Sequence, residues 1–145
     1  MLYLTSYNKA NGMKRVQIKD KKFVETINSD VIEEAVQSVA DKINKEMAGL
    51  NPIFVCVLNG AFMFASDLLK KITIDCEVTF VKVASYEGTE TTGKVKSLIG
   101  MNLDIADREV IIVEDIVDTG ITIEQLIDDV KYQNPADVKV ATLLF

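Results

Sequence analysis

Apolar and polar positions along the chain switch between two periodicities, and the switches mark out alternating strands and helices. From Val31, the residues Ile32, Ala35, Val36, Val39, Ala40 and Ile43 recur at helical spacing to about Met47. This predicts an amphipathic helix capped by Ser29 or Asp30 and stopped near Gly49. Pro52 then introduces the uninterrupted apolar run Ile53 to Leu58, read as a strand. A Gly-containing turn leads from it into a helix at about Phe62 to Lys71, in which Phe62, Met63 and Phe64 are expected to be core and helix-packing residues. Cys76 to Ala84 is the next strand and Val110 to Val113 another. A helix from about 120 to 132, the Asn134-Pro135 break and a strand Val138 to Phe145 complete the pattern. Continuous rather than alternating strands are buried on both faces, so the fold class is α/β with a mainly parallel sheet.

Two stretches fall outside this rhythm. Residues 1–27 are mixed and polar, with short apolar pieces at Val16 to Ile18 and Phe23 to Ile27, and read as an irregular arm carrying edge strands at most. Residues 86–99 are polar, Thr-rich and Gly-containing without periodicity. A connection this long inside a compact domain reads as a mobile lid.

The chemistry concentrates after Val110 to Val113. Glu114, Asp115 and Asp118 place three carboxylates within five residues, followed by Thr119, Gly120, Ile121 and Thr122. Glu114 and Asp115 should emerge at the carboxyl end of a parallel strand, where open α/β sheets bind ligands. Acids this close repel one another and lose hydration unless a metal, hydroxyl groups or a cation compensates them. Thr122 and Gln125 have capping-box spacing and Thr119 is a second possible cap, which starts the following helix near residue 120. Free amides at that helix start, close backbone approach at Gly120 and the two Thr hydroxyls make an anion cradle. Acids for vicinal hydroxyls beside a cradle for phosphate imply a ribose phosphate. An acidic strand end also occurs in receiver-like folds that hold a metal, but the Asp118-Thr119-Gly120-Ile121-Thr122 cradle has no place in that pattern.

Composition narrows the classes. At 145 residues with 48% apolar content, the chain is one domain over 1–145 with enough material for a single core. A net charge of -6 and a pI near 4.7 argue against a nucleic-acid surface, which needs clustered Lys and Arg. Cys56 and Cys76, without CxxC spacing and with no His in the chain, read as reduced structural thiols. The amino-terminal residues show neither a signal-peptide core nor a span long enough for a bilayer, which gives the expectation of a cytoplasmic protein without membrane association.

The run Val113-Glu114-Asp115-Ile116-Val117-Asp118-Thr119-Gly120 resembles the phosphoribosyl diphosphate (PRPP) binding motif of type I phosphoribosyltransferases, and closely that of the hypoxanthine-guanine branch. Val57-Leu58-Asn59-Gly60-Ala61-Phe62-Met63-Phe64-Ala65-Ser66-Asp67-Leu68 resembles that branch's diphosphate loop and following helix. Ser85-Tyr86 with Thr91-Thr92-Gly93-Lys94-Val95-Lys96 resembles its lid. On residues alone, Asn59-Gly60 is an ordinary tight turn and the Lys94 and Lys96 pair a solvated face.

The resemblance implies a three-layer core, a twisted, mainly parallel sheet flanked by helices. It also implies transfer of the 5-phosphoribosyl group of PRPP to N9 of hypoxanthine or guanine, with Mg2+ as cofactor, in a homo-oligomer (dimer or tetramer). Residue by residue, it implies that Glu114 and Asp115 hold the ribose hydroxyls directly or through metal, and that Asp118 is the general acid/base at purine N7. Asp118, Thr119, Gly120, Ile121 and Thr122 would bind the 5-phosphate. Leu58, Asn59 and Gly60 would bind diphosphate through a cis peptide at Leu58-Asn59, and Ser85, Tyr86 and Lys94 would close as a lid. Two departures stand out. Asn59 takes a place that is often basic in this branch. After Val138 to Phe145 the family continues with a Lys that reads the 6-oxo group, a stacking aromatic, a late acid and a last strand, a base-binding hood that this sequence does not contain. The expectation is a core with its last strand and hood missing and its transferase activity impaired. A non-catalytic PRPP-binding regulatory module is the alternative reading.

Overall fold

A computed structural model describes residues 15–83, 98–118 and 120–145. Its main element is a five-stranded sheet built from β3 (Ile53–Leu58), β4 (Glu77–Val83), β5 (Leu98–Ile99), β6 (Glu109–Ile116) and β7 (Asp137–Leu144), in the order β5-β4-β3-β6-β7. β4, β3, β6 and β7 run parallel, and the two-residue β5 pairs antiparallel with β4. The helices are α1 (Ser29–Glu46), α2 (Phe62–Leu69) and α3 (Ile121–Lys131).

Strand periodicity sorts the core into two halves. Phe54, Cys56, Ile111, Val113 and Ala141 pack against Val36, Val39 and Ile43 of α1 and Phe64 and Leu68 of α2. The intervening residues Ile53, Val55, Val57, Val110, Ile112 and Val140 pack on the other face against Ile123, Leu126 and Val130 of α3, together with Ile105. Both faces are thus covered, which is why the strand sequences are continuous apolar runs. Each large side chain fully buried in this way contributes roughly 1.5–3 kcal/mol. That burial, rather than intrinsic propensity, holds helices as short as α2.

Several boundaries differ from the sequence expectations for identifiable reasons. The cap of α1 is Asn28, whose side chain accepts the Val31 N–H at 2.9 Å, one residue before the expected Ser29. Gly49 lies just past that helix with φ 77, as its stop role requires. Within α2 only Phe64 of the expected aromatic-methionine cluster is buried, whereas Phe62 and Met63 are exposed. Consecutive helix residues point about 100° apart, so three in a row cannot share one face. β6 extends to Ile116 because Glu114 and Ile116 continue the ladder with Thr142 and Leu144 of β7.

The arm also gains structure. β1 (Arg15–Ile18) and β2 (Lys21–Val24) form an antiparallel hairpin that is a separate two-stranded sheet, with all of its strand residues exposed. Its turn uses Lys19 at φ 56 rather than the Asn-Gly or Asp-Gly that advertises such a hairpin in sequence. Of the expected lid, residues 98–99 form β5, while Ser85, Tyr86 and Lys94 lie outside the described residues. Among the described residues, β7 is one edge of the sheet and no helix is long and apolar enough to cross a membrane.

Strand order places the site. β3 connects through α2 to β4 on one side, and β6 connects through α3 to β7 on the other. The order therefore reverses between β3 and β6, and the crevice at their carboxyl ends is the position where open α/β sheets take ligands.

Candidate functional site

The carboxyl ends of β3 and β6 bring the two polar segments of the sequence together. β3 ends at Leu58, the Leu58-Asn59 peptide is cis as the resemblance implied, and Val57 O accepts the Ala61 N–H at 3.1 Å to enter α2. Gly60 then meets the end of β6, where a Cβ on Gly60 would lie 2.6 Å from Asp115 Oδ1. The turn expected to hold diphosphate therefore packs directly on Asp115. Gly60→Ala is expected to push the Asp115 carboxylate or the turn aside. PRPP affinity should fall by about five- to 150-fold in calorimetric titration, as a cost of roughly 1–3 kcal/mol for overpacking would produce.

The two acids make different contacts at the end of β6. Glu114 lines the α3 side and Asp115 lies against Gly60, while their carboxyls stay within hydrogen-bonding reach of each other. A cleft of about 420 Å³ opens on the α3 side, lined by Glu114, Asp118, Gly120 and Thr122 with Val57, Ile116, Val117, Ile123 and Leu126. Three of the expected phosphate residues, Asp118, Gly120 and Thr122, thus share one cleft with Glu114. Asp115 stands behind it against Gly60, Ile121 is the first residue of α3, and Thr119 lies outside the described residues. The apolar walls were missed in sequence. Strand alternation from Ile53 to Val57 and the Ile123-Leu126-Val130 stripe are the signals that could have found them.

The start of α3 corrects one expectation. Its N-cap is Gly120 in the left-handed region at φ 81, with no side-chain cap hydrogen bond, and Thr122 lies inside the first turn. The Thr122–Gln125 capping box is therefore not formed, because glycine makes the sharp entry unaided. The first helical bond runs from Glu124 N–H to Gly120 O at 2.9 Å. Amides earlier in the turn have no intrahelical acceptor and remain for a ligand.

Charge at the site is poorly compensated by the protein. Burial, aided by the neighbouring Asp115 carboxyl, pushes Glu114 up to about 7 from an ordinary 4.5. Among the described residues no Lys or Arg forms an ion pair with Glu114, Asp115 or Asp118. An acid that holds its proton this far above its usual range is suited to gain a cation or hydroxyl donors as partners. Among the described residues there is no group of three or more His, Cys, Asp or Glu able to cage a metal. Glu114 and Asp115 could supply two carboxylates, which fits Mg2+, an ion that usually takes one or two carboxylates and completes its shell with water and phosphate. Cys56 is buried and its thiol is pushed up to about 12 by that burial, so it is no nucleophile.

This Glu114 shift has a sign that can be measured without any ligand. Between pH 4.5 and about 7 the folded chain keeps a proton that the unfolded chain has released, so stability contributed by this site falls as pH rises through that window. Glu114→Gln removes the effect. The variant's melting temperature relative to the parent should be higher at pH 8 than at pH 5; an equal difference at both would contradict the assigned proton.

A ligand crevice at a strand-order reversal, an acid pair and an uncapped helix start define a class of sugar-phosphate-binding α/β domains. Residues 24–145 match the family model of the phosphoribosyl transferase domain. The bifunctional protein TilS/HprT of Listeria innocua is 40% identical over 119 residues, covering 81% of this chain and 18% of its own length. The hypoxanthine-guanine phosphoribosyltransferase of Streptococcus thermophilus is 40% identical over 126 residues, covering 86% of this chain and 69% of its own. A solved hypoxanthine-guanine phosphoribosyltransferase from Bacillus anthracis superposes with a TM-score of 0.70 at 36% identity, over 81% of this chain and 68% of that one. The chain belongs to the type I phosphoribosyltransferase family, with a domain like that of the hypoxanthine phosphoribosyltransferases. It spans less than a fifth of the Listeria protein and about two thirds of the two shorter relatives.

Proposed function

We propose that this domain binds PRPP with Mg2+ and serves transfer of the 5-phosphoribosyl group to N9 of a 6-oxopurine, hypoxanthine or guanine. The single observation that carries the reading is the cleft in which Glu114 and Asp118 face the uncapped amino terminus of α3 across about 420 Å³. That combination suits a sugar whose hydroxyls need acceptors and whose phosphate needs donors. The relatives named as hypoxanthine-guanine phosphoribosyltransferases support it from outside.

In this reading the 5-phosphate sits on the turn that leads into α3 and on the helix start, at Asp118, Thr119, Gly120, Ile121 and Thr122. Glu114 and Asp115 accept from the ribose 2- and 3-hydroxyls, and backbone groups of Leu58, Asn59 and Gly60 face the diphosphate. The C1–O bond to diphosphate breaks with its electron pair leaving on oxygen, while purine N9 bonds to C1. Positive charge builds on the ribose in between, and fixed carboxylates beside it lower the barrier. Asp118 takes the proton from purine N7 as N9 attacks, general-base help typically worth 10²- to 10⁴-fold. Mg2+, held by Glu114 and Asp115 with ligand oxygens, would neutralise charge on the departing diphosphate.

The test is incubation of the chain with PRPP, Mg2+ and hypoxanthine, guanine or xanthine, followed by separation of the nucleotide product. IMP or GMP formed with release of diphosphate supports the reading. PRPP uptake with no nucleotide from any base would reduce it to a PRPP-binding module.

A further inference from the structure

Thr142 breaks the apolar run Val140 to Leu144 at the position paired with Glu114. β7 reads Val140-Ala141-Thr142-Leu143-Leu144, and Thr142 is fully buried, one of two buried polar side chains among the described residues. It follows Val140 onto the α3 face and is the cross-strand partner of Glu114. Valine has nearly the same shape, so a buried hydroxyl here costs free energy unless its hydrogen bond is used.

Its hydrogen bond lies where β6 ends. Thr142 Oγ1 donates to Leu144 O at 3.1 Å and lies 3.4 Å from Asp115 O. Leu144 O also accepts the Val117 N–H at 3.0 Å. The Val117 amide ties the end of β6 to Leu144 O of β7, and the Thr142 hydroxyl, set between that carbonyl and Asp115 O, reaches across to the backbone of β6. Beyond this point the chain leaves the ladder and carries Asp118 and Gly120 into the cleft.

On the functional reading given above, we infer that Thr142 is a positioning residue for PRPP binding: its hydroxyl fixes the exit of β6 and with it the relative placement of Glu114, Asp115 and Asp118. It touches no reacting atom. Its effect passes through backbone carbonyls, which distinguishes it from the acids themselves.

Thr142→Val, Thr142→Ser and Asn44→Ala test the inference on the whole chain. Asn44 bridges Lys71 O and Thr73 N–H at 2.9 and 2.8 Å from α1, on the other side of the sheet, so its variant removes side-chain hydrogen bonds to backbone away from the cleft. Calorimetric titration with PRPP and Mg2+ should show about tenfold weaker binding for Thr142→Val, in line with loss of one buried hydrogen bond. Binding should be restored by Thr142→Ser and unchanged in Asn44→Ala. Amide hydrogen exchange should be faster at Val117 in Thr142→Val alone. Parental affinity and parental Val117 exchange in Thr142→Val would overturn the inference, as would equal weakening in Asn44→Ala. If the parent chain takes up no PRPP, the functional reading has failed, and positioning by Thr142 is then decided by the Val117 amide, whose unchanged exchange overturns it.

Discussion

Asp118→Asn is expected to lower the rate of nucleotide formation by about 10²- to 10⁴-fold, the span that one general acid/base commonly supplies. The substitution keeps the side chain's shape and its place on the cleft wall, and removes only the capacity to take a proton. PRPP affinity should not fall. Asp118 lies next to the helix start that is proposed to hold the phosphate, and loss of a negative charge beside an anion favours binding if it changes anything. A single-turnover assay with PRPP, Mg2+ and hypoxanthine, paired with a PRPP titration, separates the two effects. Loss of turnover with retained binding is the result expected. Unchanged turnover would remove Asp118 from the proton transfer, and equal losses in both would make it a binding residue instead.

The second large effect is expected from Glu114→Gln combined with Asp115→Asn. Glu114 lines the cleft and Asp115 meets Gly60, and the two carboxyls are close enough to act on each other, so the double variant removes the acid pair as a unit. Hydrogen bonds to charged groups are worth roughly 1.5–3 kcal/mol each, so loss of both should weaken Mg2+-PRPP binding by at least about 10²-fold. The same change relieves an acid that burial and its neighbour hold near pH 7, so the ligand-free double variant should melt higher than the parent at pH 8. Weaker binding from a more stable protein would separate function from folding. A double variant that binds normally would place the ribose elsewhere.

Much of this architecture was legible in the sequence because the signals were local. Continuous apolar runs such as Ile53 to Leu58 announced strands covered on both faces, and the Ala35-Val36-Val39-Ala40-Ile43 stripe announced α1. The acid cluster pointed to the end of β6, where a cleft is found. What could not be read depends on three-dimensional placement. The sequence presents Glu114 and Asp115 as neighbours, and the fold gives them different contacts, one on the α3 side and the other against Gly60. The capping-box spacing of Thr122 and Gln125 was a false signal, since Gly120 alone bends the chain into α3. Thr142 gave no local warning at all: a threonine in a strand is common, and its proposed role depends on the Asp115 carbonyl that lies across the ladder from it. The hairpin of β1 and β2 escaped because three alternating residues and a Lys-Asp turn fall below what periodicity can distinguish from an irregular arm.

Titration of the purified chain with PRPP in the presence and absence of Mg2+ tests the central claim most directly. Saturable one-to-one binding that strengthens with Mg2+ and is lost in Glu114→Gln with Asp115→Asn is the predicted result. No heat of binding with Mg2+ present, or binding indifferent to both the metal and the acid pair, would contradict a ribose phosphate seated between the end of β6 and the start of α3.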